Sequence, residues 1–151
     1  VTIDLSPWRD APDLIDAIWE ARRAGRRDLK PAIAELLEHE DSTVREEALS
    51  LLFVKWRDST LSDKLLQMIE SDPDFGVRAR AAGALVQLDD NDSRQLAKSI
   101  LSGIVLDRED DPIVRKAAYE ALHEIVKGRA VVVADDIDLD QEVDMTWVHD
   151  C

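Results

Sequence analysis

The sequence predicts an all-α chain: an α-solenoid of about three helix pairs, with an N-terminal helix before them and a short extended or β acidic segment after them. Three observations predict it. An eight-residue pattern occurs three times, and the apolar residues between the copies recur at helical spacing. Five glycines and five prolines in 151 residues are also too few for a turn-rich β architecture. The expected divisions are 1–27 as a capping helix, 28–127 as the repeats and 128–151 as an acidic cap or tail.

The first helix has two candidate starts, Ser6-Pro7 and Asp10-Ala11-Pro12. Each pairs a side-chain acceptor for exposed backbone N–H groups with a proline that the first turn tolerates. Leu14, Ile15, Ile18 and Trp19 then share one helical face, and Gly25 can take the left-handed conformation that stops the helix. Arg22, Arg23, Arg26 and Arg27 cluster at this end. They suit the negative end of the helix dipole, and as a basic patch they would suit an anionic partner.

The triplicated pattern is D-x-x-V-R-x-x-A. It reads Asp41, Val44, Arg45, Ala48, then Asp74, Val77, Arg78, Ala81, then Asp111, Val114, Arg115, Ala118, at steps of 33 and 37 residues. A leucine follows each valine by eight residues, at Leu52, Leu85 and Leu122. Repeats of this period with two helices per unit mean a solenoid. The expected first helices span about 28–39, 60–71 and 92–106; the second span about 43–57, 76–89 and 112–127, the last ended by Gly128. Each aspartate starts a helix by accepting from its first N–H groups, and each valine opens a buried stripe. The alanine lets neighbouring helices approach, and the arginine at the stripe's edge can reach an aspartate or a carbonyl in the adjoining repeat.

Over residues 28–127 this pattern resembles the HEAT-repeat family, including the bacterial short-repeat branch seen in phycobilin lyases. The resemblance implies antiparallel helix pairs in a curved array, the second helices lining the concave side. It also implies that Asp41, Asp74, Asp111, Arg45, Arg78 and Arg115 form a structural ladder.

Residues 129–151 leave the helical period. Ala130-Val131-Val132-Val133-Ala134 is a β-branched run that favours a strand. Asp136, Asp138, Asp140, Glu142 and Asp144 then alternate with Ile137, Leu139, Gln141, Val143 and Met145, which predicts one acidic and one mostly apolar face. Solenoids need their last apolar face covered, so a capping role is natural, with Trp147 and Val148 helping to seal it.

Little points to chemistry. Asp136-x-Asp138-x-Asp140 is like the start of a calcium loop, but Gln141 and Trp147 stand where the EF-hand needs glycine and glutamate. His39, His123 and His149 have no zinc spacing, and no serine or cysteine motif accompanies them. There is no phosphate loop, dinucleotide fingerprint or nucleophile elbow. No catalytic residue, cofactor or metal is therefore assigned, and the chain is expected not to be an enzyme. A lyase-like HEAT-repeat enzyme is the alternative that the resemblance alone keeps open.

Charge says more. With 33 acidic and 19 basic residues the net charge is −14, which opposes nucleic-acid binding and docking on an anionic membrane. Residues 128–151 hold seven acidic and one basic residue, so nearly half of the net charge lies in the last 24 positions. One cysteine, Cys151, excludes an internal disulfide, and no apolar run approaches a membrane span, so a cytoplasmic setting is expected.

Advancing about 100° per residue from Val44 puts Ala48, Leu51, Leu52 and Lys55 on the packed side of the first copy. Glu46, Ser50, Phe53 and Arg57 fall opposite; Val86 and Asp90 match them in the second copy, and Glu120 and His123 in the third. An exposed Phe53 would be a binding anchor, unless a terminal segment covers it. These eight residues, with Asp136, Asp138, Asp140, Glu142 and Asp144, form the expected partner-binding set. The expected function is a non-catalytic adaptor for a basic protein partner. A sharper alternative is an immunity-type inhibitor whose carboxylates occupy the phosphate-binding surface of a basic toxin such as a nuclease.

Overall fold

The computed structural model describes residues 11–151 and is all-α. The candidate start at Ser6-Pro7 and the capping Asp10 lie outside the described residues. The chain divides into two compact units, Val1–Asp58 and Ser59–Cys151. Their boundary falls inside the block expected to hold the repeats.

In the first unit, α1 (Ala11–Ala24) packs on α3 (Ser42–Leu49). Gly25 ends α1 at φ 64, the left-handed region that glycine enters at little cost. A 3-10 turn (Arg27–Leu29), α2 (Lys30–Glu35) and a second 3-10 turn (Leu36–Glu38) form the first helix of the pair. Pro31 sits in the first turn of α2, where its missing N–H leaves no bond unmade. Leu14, Ile18, Ile33, Leu37, Val44 and Ala48 are buried together in the core of this unit.

Helix α3 continues into a π-helical stretch, Ser50–Lys55, closed by the Trp56 N–H donating to the Leu51 carbonyl at 3.0 Å. The wider turn rotates each residue by less than the usual ~100°, so the regular wheel fails here. Phe53 and Trp56 turn inward and are buried, while Val54 and Lys55 face out. This corrects two expectations: Phe53 belongs to the core and is no exposed anchor, and Lys55 is not on the packed side.

In the second unit, α4 (Ser62–Ser71) pairs with α5 (Phe75–Leu85), and α6 (Asn91–Leu106) pairs with α7 (Pro112–Lys127). Short links force each pair to run antiparallel. The two pairs stack, α5 against α7 and α4 against α6, with the second helices in the more extensive contact. Buried small residues, Ala81, Ala82 and Ala84 in α5 and Ala118 and Ala121 in α7, permit that approach. Leu65, Ile69, Val77, Leu85, Leu101, Val114 and Leu122 fill the space between the pairs.

After Gly128, which ends α7 at φ 69, the chain returns along α7. Among the described residues there is no strand. Residues 130–134 are irregular, with Val133 buried and Val132 86% exposed. The expected alternation is broken by one helical turn, α8 (Leu139–Glu142), and a 3-10 turn (Val148–Asp150) follows. A β-branched run gains from extended pairing only beside another strand, and an all-helical unit offers none. Val133, Leu139 and Val148 are buried instead as single anchors.

Candidate functional site

The three motif aspartates are N-caps. Asp41 accepts from the Thr43 N–H at 2.8 Å, Asp74 from Val77 at 3.0 Å and Asp111 from Ile113 at 2.8 Å. The bond from Thr43 holds the Asp41 carboxyl below its ordinary pKa. The motif arginines bind carbonyls in the last turn of the preceding helix or in the link just after it. Arg45 donates to the His39 and Glu40 carbonyls, Arg78 to Ile69 at 2.9 Å, and Arg115 to Val105 at 2.7 and 3.0 Å.

In the second unit each of these arginines also grips a carboxylate farther along the chain. Arg78 makes two 2.7 Å bonds to Asp110, and Arg115 binds Asp140 at 2.9 and 3.2 Å. The hydrogen bonds from the guanidinium lower the pKa of both carboxyls. Asp110, at the end of the link into α7, and Asp140, in α8, therefore do the same work. The C-terminal segment gives Arg115 what a following repeat gives Arg78.

The residues expected on the binding face do not form a single open surface. In the first unit Glu46 and Ser50 are half-buried, and Ser50 accepts from Arg22 at 2.7 Å. Arg57 is exposed and holds a left-handed backbone, φ 53, at the end of the π-helical stretch. The neighbouring cations are engaged locally: Arg26 pairs with Asp28, Arg23 with Glu20, and Arg27 lies 6.0 Å from the Trp56 ring centre. In the second unit Val86 is half-buried, and Asp90 caps α6 by accepting from the Asp92 N–H and the Ser93 hydroxyl. The hydroxyl of Ser93 also pulls the Asp90 pKa down.

Glu120 and His123 lie under the returning C-terminal segment. Glu120 accepts from the Val133 N–H at 2.7 Å, and His123 Nδ1 donates to the Arg129 carbonyl at 3.0 Å. The Trp147 ring packs tilted against Tyr119 and edge-on to His123, with Lys127 Nζ 5.1 Å from its centre. Glu120 and His123 thus hold the returning segment on α7.

The acidic residues of the segment divide by role. Asp140 is committed to Arg115, while Asp138 caps α8 and Glu142 accepts from the Asp138 N–H at 3.0 Å. Asp144 accepts from the N–H and hydroxyl of Thr146, which lower its pKa. Asp136, Asp138, Glu142 and Asp144 are exposed, and none of them is in an ion pair among the described residues.

Between the first turns of α7 and the 135–139 loop lies an open groove of about 750 Å³. Pro112, Ile113, Ile137 and Leu139 supply its apolar walls, and Arg115, Lys116, Asp135, Asp136 and Asp138 its charges. Periodicity does not single out this place. The signal in the sequence is the residue before each motif valine, which is Thr43, Gly76 and then Ile113. A second, shallower hollow of about 370 Å³ surrounds the Arg78–Asp110 joint, between α6 and the ends of α4 and α5.

Paired helices with aspartate-capped second members, tied by arginines to the helix before and the acidic residue beyond, define a helical-repeat protein. The sequence model of the HEAT repeats matches residues 29–123, more than half of the chain, and the chain belongs to that family. Neither the comparison with curated proteins nor that with solved structures finds a match. HEAT repeats are generally protein-interaction scaffolds, and their fold is typically non-enzymatic. Among the described residues no helix is long and apolar enough to cross a membrane.

Proposed function

We propose that this chain is a non-catalytic interaction module whose partner is a basic protein. The observation that carries the reading is the charge left over after internal pairing. The chain has a net charge of −14, and Asp136, Asp138, Glu142 and Asp144 stand exposed on one segment without ion pairs among the described residues. Such a surface accelerates encounter with a cationic protein and repels nucleic acid. A reducing cytosol suits a chain with one cysteine. The narrower form of the reading is an inhibitor that lays these carboxylates over the phosphate-binding surface of a basic toxin.

Affinity capture followed by association kinetics tests the reading. The captured partner is expected to be basic, and its association rate to fall steeply with salt, since the Debye length is about 8 Å at physiological ionic strength. Changing Asp136, Asp138, Glu142 and Asp144 to their amides should slow association more than it speeds dissociation. Association indifferent to salt and to these changes would overturn the reading. If the partner is a nuclease, inhibition of its cutting supports the narrower form.

A further inference from the structure

The groove beside α7 has an apolar part that the scaffold does not explain. Ile113 is 54% exposed at the second position of the helix. The other two motif copies place Thr43 and Gly76 there, so the repeat does not require an aliphatic residue. Across from it the loop brings Ile137, half-buried, and Leu139, so a side chain entering the groove meets apolar surface on two sides. At about 750 Å³ the space is larger than one side chain needs and falls within the usual range for ligand clefts, roughly 300–1,000 Å³.

The charges of the groove fix the sign of what it takes. Its two cations are committed: Arg115 to the Val105 carbonyl and Asp140, and Lys116 to Asp135. Asp111 caps the positive end of α7. Asp136 and Asp138, on the loop, have no ion pair among the described residues. An anionic ligand would find no uncommitted cation, and a wholly apolar one would leave two carboxylates beside it without compensation.

We infer that this groove is the docking site for a peptide segment of the basic partner, with an aliphatic side chain against Ile113 and Ile137 and an adjacent lysine or arginine on Asp136 and Asp138. The inference rests on the proposed function and adds the place and the chemistry of the contact.

The test displays short random peptides and selects them on the full-length chain. The enriched peptides are expected to join Leu, Ile or Val to Lys or Arg. Ile113→Thr should weaken the best of them by about fivefold or more, since it removes apolar contact and adds no charge. Thermal melting keeps that variant interpretable, because the first repeat already carries threonine at this position and stability should not change. The double change Asp136→Asn with Asp138→Asn should weaken binding at low salt and lose most of its effect at high salt. If basic peptides are enriched with salt-sensitive affinity but ignore Ile113→Thr, the groove assignment falls and the basic-partner reading stands. If no peptide is enriched, the groove assignment falls and the basic-partner reading stands on its own test; if enriched peptides show no preference for Lys and Arg, both fall.

Discussion

Arg78 and Arg115 occupy the same motif position and meet different continuations of the chain. Arg78 lies at an internal joint, where another helix pair follows and Asp110 arrives on the link into α7. Arg115 lies at the terminal joint, where the chain has left the repeat pattern and Asp140 arrives from a one-turn helix in an otherwise irregular segment. Each guanidinium joins a helix-terminal carbonyl on one side to a carboxylate on the other. The need is therefore local. An arginine placed over helix-end carbonyls brings a buried positive charge, and some carboxylate must balance it, whatever structure delivers it. The C-terminal segment reproduces that one contact and buries Val133, Leu139 and Val148 without a further helix pair.

Removing residues 129–151 breaks the comparison most severely. Each of the three buried anchors contributes about 1.5–3 kcal/mol of apolar burial, and the ordering entropy of the irregular chain between them offsets part of it. A net loss of about 3–5 kcal/mol is expected for the second unit. Gly128 stays in place, so α7 keeps its end and the loss measures the cap itself. The urea midpoint of the truncated chain checks this; an unchanged midpoint would show that the segment rests on α7 without supporting it.

The two carboxylates can then be compared directly. Asp110→Asn removes the charge and one of the two acceptor oxygens that Arg78 binds in a largely buried joint, leaves the bond to Ile69, and should cost about 2–3 kcal/mol. Asp140→Asn leaves Arg115 with both bonds to Val105, and Asp140 is the more exposed partner, so about 1 kcal/mol is expected. Denaturant titration of the two variants decides the order. A larger loss at Asp140 would make the terminal joint the principal support of the unit.

Much of this was legible in the sequence, and what was not has physical causes. The three aspartates, valines and arginines declare themselves because each repeat solves the same local problems of capping, stripe and joint. Helix limits followed closely, as at 112–127. Phe53 was misplaced because a π-helical stretch has no sequence signature in the period of the apolar residues. The strand at 130–134 failed because β-branched preference is realised only against a partner strand. Asp140 looked like one carboxylate among five in an alternating face; its neighbour across space, Arg115, lies 25 residues earlier. Glu120 and His123 fell on a face that is open in an isolated helix and covered once the chain returns over it. The sequence marks Ile113 only by contrast with Thr43 and Gly76 at the same motif position.

The smallest expected effect is the pH dependence of the internal joint. Asp110 is held below the ordinary carboxyl pKa of about 3.9, chiefly by the hydrogen bonds from Arg78. A carboxylate with a depressed pKa in the folded state contributes stability that is present above its unfolded pKa and is lost as pH falls through its folded pKa. The contribution should therefore be full above about pH 4–5 and decline below that, vanishing once the pH has passed the depressed folded-state pKa. Absolute stability is a poor readout, because protonating any of 33 acidic residues also relieves the repulsion of a chain at −14. The difference between the parent chain and Asp110→Asn cancels most of that background. It should be constant through neutral pH and close toward zero as pH drops below about 4, where the unfolded carboxyl begins to titrate. The same difference for Asp140→Asn should close in the same direction from a smaller plateau, because the Arg115 hydrogen bonds lower that carboxyl too. A gap that persists undiminished at the acid end would mean that Asp110 supports the joint through shape and hydrogen bonding alone, with its charge contributing nothing.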